Sequence, residues 1–459
     1  MRRLALLLSL ALAAPAHAVQ PPVCAAAPGL NDRCEKWVAQ PAETPRFTGV
    51  AAAPAGDKVY AVGTDTRGRM TVTAYDAARG TALWTGRPST PLPTAGTAVA
   101  VSADGRAVFA VGTISLRPDL NSRPFDYFLT MRFDAKTGRA LWAAVYRGVG
   151  ANGNAPTGLA VSPRGDRVYV TGWSERTGPY QVLPKDWATL AYDARTGGQV
   201  WVRRYAGLAG GRNEPIGVTL SPRGDRVYVT GLSEHPTQSP TAIFDMTVIG
   251  YSAAGTARWT QRTPGFPVGV AQRGDRVYVG GGLTSGGGRV VAYDGARGTK
   301  VATMTLPGAP GALAVSPDEK RVYVATTAAA ATGASAVATL GIAVAAYDRA
   351  TGRAGWTTTF APQGATFAQP VAIATNARGD RVYALGVAGP AFNTTYPVVV
   401  GLTDKGATSW VARYDVREPN APGTGAGLAV SGSRVFAAGA AAPLLLTGTA
   451  HGLLLAYEG

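Results

Sequence analysis

Three histidines stand in a chain of 459 residues, and that scarcity limits the chemistry open to it. His17 falls within an N-terminal leader, which leaves His235 and His451, in loops of different repeats. Two such imidazoles exclude a histidine metal cluster and all but exclude a Ser-His-Asp triad. Ser233-Glu234-His235 is adjacency along the chain, which does not make a catalytic geometry. The two cysteines, Cys24 and Cys34, lack the partner pair of a zinc site and the Cys-x-x-Cys of a redox site. In an oxidising compartment they are expected to form a disulfide that closes a short loop, contributing roughly 2–4 kcal/mol. Asp76, Asp134, Asp193, Asp294 and Asp348 each stand alone in an Asp-x-x-x-Gly turn, without the clustered oxygens calcium needs. They read as turn caps. Arg-Gly-Asp recurs at 164–166, 223–225, 273–275 and 378–380, always at the same hairpin, so it too reads as turn chemistry and not as an adhesion signal.

Contact chemistry is better supplied. Trp173, Tyr180 and Trp187 lie close together, with Arg123, Arg176, Lys185, Arg212 and His235 as polar neighbours in comparable segments. Aromatic and Arg side chains anchor protein interfaces, and aromatics stack on sugar rings. These eight residues are the candidate ligand-binding set. The competing assignment puts Trp187 at the start of a strand, packed between repeats, and Trp173 over a loop.

What must position them is a repeat. Thr157 to Gly172 is nearly repeated from Ile216 to Gly231, and each copy leads to a Tyr-Asp-Ala-Arg-Thr-Gly turn (Tyr192 to Gly197) or its cousin at Tyr251 to Gly255. Val-aromatic pairs mark eight copies: Val59-Tyr60, Val108-Phe109, Val168-Tyr169, Val227-Tyr228, Val277-Tyr278, Val322-Tyr323, Val382-Tyr383 and Val435-Phe436. Apolar residues alternate with period two, so the segments are strands. One copy reads as four of them: Gly158 to Val161 (A), Arg167 to Thr171 (B), Trp187 to Tyr192 (C) and a fourth around Trp201 (D). A period of this length marks units that cannot bury their own apolar faces alone. Small residues in strand A suit the crowded surroundings of a central axis.

Closure is legible as well. The last copy stops at its third strand, 452–457, while the N-terminal arm offers an orphan, Cys34 to Ala39, resembling Trp201-Val202-Arg203-Arg204. The arm is expected to complete the last sheet, leaving no open edge. Trp37, Trp84, Trp142, Trp201, Trp259, Trp356 and Trp410, with Val301 in the place of a missing eighth, give an all-β, eight-bladed β-propeller of four-stranded antiparallel blades. A–B and C–D turns are tight and alike. The B–C connections are long and unlike one another: 114–125, 173–185, 232–244, 327–340, 387–397 and 440–451. Variable loops on a rigid scaffold are where binding resides.

The stretch Ala191 to Trp201 resembles the tryptophan docking motif of PQQ-like eight-bladed propellers, and the stretches Asp126-Tyr127 to Trp142 and Asp186-Trp187 to Gly231 resemble SBBP-type bacterial propeller repeats. The resemblance covers essentially the whole mature chain and implies the fold. It leaves activity open, since members include quinoprotein dehydrogenases, assembly scaffolds and exported proteins. The dehydrogenases imply PQQ with calcium, vicinal cysteines and a Glu/Asn/Asp ligand set. Here nine residues separate the two cysteines and no such set is recognisable.

Arg2-Arg3, the apolar run 4–14 and Ala16-His17-Ala18 form a secretory leader. No later run is long and apolar enough for a spanning helix, and Cys24 follows Pro21-Pro22-Val23, which is no lipobox. The formal net charge of +16 favours acidic surfaces, yet its arginines are spread over hairpin turns with no basic-aromatic platform for nucleic acid. The resulting expectation divides the chain into a leader (1–18), an arm with disulfide and closing strand (19–46) and a propeller (47–459). It is read as a monomeric, extracytoplasmic, non-catalytic binding or scaffolding protein for a protein or an envelope polysaccharide. No cofactor is expected. The rival is a PQQ-dependent oxidoreductase working at the mouth of the central channel.

Overall fold

Alternating apolar residues extend each repeat into four short strands, which need pairing into a sheet and a cover on both faces of that sheet. A computed structural model shows how the chain meets both needs. It describes residues 36–41, 43–44, 46–116, 125–149, 153–176, 184–236, 244–330, 339–362, 365–391, 394–414, 423–441 and 451–458. The leader, Cys24, Cys34, Arg123 and Tyr180 lie outside the described residues.

The strands form eight four-stranded antiparallel sheets, each with its strands in the order A-B-C-D. Seven blades are continuous in sequence, spanning 46–86, 94–146, 154–205, 213–264, 266–306, 310–360 and 367–413. The eighth joins 423–431, 434–441 and 451–458 to the N-terminal strand Trp37–Ala39. There Trp37 pairs with Ala456, Val38 with Leu455 and Ala39 with Leu454, as the orphan strand predicts. Every strand A touches the strand A of the next blade, and that of blade 8 touches that of blade 1. The ring is closed.

Strand A is small because of how closely its neighbours approach. A methyl group on Gly158 would sit 3.2 Å from the Cα of Gly217 in the next blade, and one on Gly49 3.5 Å from the Cα of Ala98. Each strand A also carries a bulge, as at Pro156/Gly158, Pro215/Gly217 and Pro310/Ala312. A bulge adds one residue and sharpens the local twist.

The tryptophans fasten blade to blade. Trp142 of blade 2 lies between Phe109 of its own strand B (6.0 Å between centroids) and Tyr192 of blade 3 (6.4 Å). Its Nε1 donates to the Ala194 carbonyl at 3.0 Å, and its ring covers Gly197, whose φ of +76° and lack of a Cβ leave room for the indole. A methyl on Gly197 would come within 2.7 Å of that ring. Trp37 repeats the arrangement across the closure, between Phe436 and Tyr75 and over Gly80, donating to the Ala77 carbonyl at 3.2 Å.

Two features differ from the sequence expectation. The missing tryptophan of blade 5 is replaced by Ala302, not Val301: Ala302 pairs with Ala292 as Trp201 pairs with Ala191, and Val301 faces solvent. Arg349 of blade 6 reaches back across this junction, donating from Nε to the Tyr278 hydroxyl at 2.8 Å and pairing with Asp275 and Glu319. Second, strands B and C run further than the apolar alternation suggests. Trp173 lies inside strand B of blade 3 (Arg167–Glu175), opposite Trp187 in strand C (Lys185–Asp193).

The turn readings are visible in the geometry. Asp193 Oδ1 accepts the N–H groups of Arg195 and Thr196, and Asp134 and Asp294 do likewise in their turns. In the Arg-Gly-Asp hairpins the Ser162 and Ser221 hydroxyls donate to Asp166 and Asp225, and the glycines at 165 and 224 have φ of +70°.

Candidate functional site

In a four-stranded meander the B–C and D–A connections share one face of the disc. On that face, around blades 3 and 4, the described candidates come together. Two buried asparagines hold the D–A links that carry them. Asn213 opens strand A of blade 4 (Asn213–Leu220), fully buried, and its Nδ2 donates to the carbonyls of Lys185, Ala206 and Gly211. Its Oδ1 accepts from the buried Ser233 hydroxyl at 2.7 Å. Asn154 opens blade 3 in the same way, donating to the Asp126 carbonyl at 2.7 Å. Gly148 and Gly207, at φ of +70° and +67°, lie against Asn154 with Ser174 and against Asn213 with Ser233, respectively. Each link is pinned from beneath.

Charged pairs brace the rim. Asp186, buried, takes Arg204 at 3.0 Å and Arg176 at 3.0 Å. One blade on, the buried Asp245 takes His235 Nδ1 at 3.0 Å and Arg262 at 3.5 Å. Arg204 also donates to the Ser174 and Tyr146 hydroxyls, and Arg262 to the Ser233 hydroxyl. Glu214 joins the two blades, holding Lys185 and Arg212 at 2.8 Å each. Burial alone pushes the Glu214 carboxyl up, but hydrogen bonds from Arg212 and Lys185 outweigh it and hold the group below its ordinary value. Arg212 is correspondingly raised by its bond to Glu214. Lys185 Nζ also stands 4.0 Å from the centre of the Trp173 ring, a cation–π contact, and Arg212 lies 5.9 Å from that of Phe244.

Arg176, Lys185, Arg212, Trp173 and His235 therefore form one neighbourhood. Trp187 faces the interior instead: it is 1% exposed, packs with Tyr169, Ala191 and Trp201, and donates to the Leu232 carbonyl at 3.1 Å. Ser233 donates to Asn213 and has no exposed surface, so with His235 it makes no nucleophile–base pair. The residues that sequence reasoning missed are Asn154, Asn213, Ser174, Ser233, Arg204 and Arg262. Their signal was available as identical polar letters at matching positions of adjacent repeats.

What this framework presents outward is apolar. Val149 is 63% exposed and Leu208 70% exposed, each directly after the pinned Gly148 or Gly207, and Phe266 follows Gly265 in the next link at 41%. The described parts of the links into blades 3 and 4, and the first residue of strand A in blade 5, thus display exposed apolar side chains.

At the axis on the same face, strand-A ends of blades 5–8 and 1 surround an open cavity of about 730 Å³. Its described lining holds one cation, Arg46, and no carboxylate, and no group of three or more His, Cys, Asp or Glu side chains able to hold a metal occurs among the described residues. Calcium binding needs several anionic or carbonyl oxygens, so this donor set does not fit a calcium-bound quinone.

A family model described as outer membrane protein assembly factor BamB matches the chain over residues 35–233, 128–312 and 188–394. Among solved structures, Chaetomium thermophilum Sqt1 bound to the N-terminus of the ribosomal protein L10 is 14% identical, with 91% of this chain and 97% of that chain covered at a TM-score of 0.54. Kuenenia stuttgartiensis hydrazine synthase is also 14% identical, with 86% and 92% covered at a TM-score of 0.43. Likeness at such identity concerns the fold alone. No curated protein matches the sequence.

Proposed function

The chain belongs to the PQQ-like β-propeller repeat family whose model carries the BamB description, and on that premise we propose that it is an exported, non-catalytic scaffold that binds a protein through its loop-rich face. The observation that carries the reading is the exposed pair Val149 and Leu208, held outward on pinned links beside a network of ion pairs, with Phe266 exposed at the start of the next strand A. Exposed apolar side chains framed by Arg and aromatic groups are the anchors of protein interfaces. The rigid asparagine-serine supports mean that little order must be imposed when a partner binds, which favours affinity. An assembly factor, as the family description has it, acts by holding other proteins. An envelope polysaccharide is the second ligand class, served by Trp173. Export rests on the leader pattern of residues 1–18; no helix among the described residues is long and apolar enough to cross a membrane.

The test is crosslinking of the purified mature protein to its native envelope extract, with wild type, a Val149→Asp/Leu208→Asp double variant and an Arg195→Asp variant of the opposite face. The expected result is one set of protein partners captured by wild type and Arg195→Asp but lost from the double variant. Identical capture by all three would refute the reading. So would enrichment of glycan alone.

A further inference from the structure

We infer that the cavity at the mouth of the central channel is a second binding site, distinct from the partner-binding row, and that it takes a small amphiphilic anion: an apolar body with a single carboxylate, phosphate or sulfonate head. Its walls are made by the bulges of strand A. The residue inserted at each bulge of blades 5, 6 and 7 (Val268, Gly311 and Val371) lines the space, beside Pro310, Pro370 and Phe367. Those side chains and glycine backbones make the surface mainly apolar. A volume of about 730 Å³ lies within the size range of small-molecule pockets.

The polar groups choose the ligand's head. Arg46, at the start of strand A in blade 1, is exposed and is the one charged side chain on the described lining. Gln369 adds a neutral hydrogen-bonding side chain to the lining, while the Thr327 hydroxyl already donates to the Ala368 carbonyl at 3.1 Å and the Thr424 hydroxyl to the Ala440 carbonyl at 3.5 Å. A guanidinium beside an apolar wall, with no acid on the described lining to neutralise it, favours a monoanion over a neutral or cationic guest. The cavity is open to solvent. The B–C connection of blade 1 is the tight turn at Asp65–Arg69, and that of blade 5 the tight turn at Leu283–Gly287.

Titration of the full mature protein with two fluorescent probes of like shape, anionic anilinonaphthalene sulfonate and neutral N-phenylnaphthylamine, tests the inference. Wild type should bind the sulfonate saturably at one site. Arg46→Gln, a change at an exposed position, should weaken the sulfonate by about ten-fold or more and leave the neutral probe unchanged. Thr424→Trp, which fills the cavity from blade 8, should remove both, at an unchanged melting temperature. Leu208→Asp, which disables the partner-binding row, should leave both intact. The inference is overturned if the sulfonate does not saturate or if Arg46→Gln binds it as tightly as wild type. It also fails if Leu208→Asp abolishes binding, which would place the probe on the outer row.

Discussion

Removing the indole of Trp37 is the most direct probe of how the ring is held shut. Trp37 is 9% exposed, lies 6.5 Å from Tyr75 and 6.0 Å from Phe436, covers Gly80 and donates to the Ala77 carbonyl. Truncating a tryptophan so placed to alanine costs roughly 3–5 kcal/mol, since the cavity collapses only in part. With an unfolding entropy of about 2.1 cal/mol/K per residue over some 420 residues, about 4 kcal/mol corresponds to a fall of roughly 4–5 °C in melting temperature. Trp259 is the internal control. It sits between Tyr228 and Tyr293, over Gly298, and donates to the Gly295 carbonyl at the same 3.2 Å, but its blade is continuous in sequence. Calorimetry of Trp37→Ala and Trp259→Ala should therefore show similar losses. The reasoning fails if Trp259→Ala melts several degrees lower while Trp37→Ala moves by less than about 1 °C, because the closing strand would then contribute nothing to the folded ring.

Two further expectations follow from the fastening between blades. At the junction lacking a tryptophan, Arg349→Ala should cost about 1–2 kcal/mol through the lost charge-assisted bond to the buried Tyr278 hydroxyl, Asp275 being too exposed to add much; adding Ala302→Trp should recover stability by restoring the arrangement of the other junctions, and a double variant less stable than Arg349→Ala in a denaturant titration would contradict this. Burial, aided by the charges of Asp57 and Asp134, pushes the Tyr60 hydroxyl up to about 12, and burial likewise pushes Tyr192 to about 12. An acid whose folded value is raised keeps its proton longer in the native state, so stability is unaffected below the ordinary tyrosine value and is lost as pH rises from about 10 towards 12. A melting temperature flat through this window, with tyrosinate appearing at the ordinary value, would be the contrary result.

Much of the architecture was written in short repeated signals. The Val-aromatic pairs fall on strand B of every blade because that strand is covered on both faces and buries both side chains, and the orphan Trp37 segment is the fourth strand that the last repeat lacks. In blade 5 the tryptophan position is Ala302 and not Val301, and counting from the turn glycine, Gly298 to Ala302 as Gly138 to Trp142, finds it. The site was half legible. Aromatic and basic letters led to Trp173, Arg176, Lys185, Arg212 and His235, which do meet. The supports were overlooked because Asn213 and Ser233 look like ordinary turn residues until the fold buries them. The exposed Leu208 and Val149 were hidden for the opposite reason, since apolar residues in a strand-rich sequence are read as core.

Blade 8 has no C–D turn, being assembled from both chain ends, and among the described residues the buried Nε1 of Trp410 finds no acceptor there. The consequence concerns biosynthesis. A chain made from its amino end must keep its earliest strand waiting until the latest one of the ring has been synthesised, so a product cut short before then is left as an open arc with the apolar faces of its end blades uncovered. Completion of the circle is thereby a built-in check that every repeat of the ring has been made.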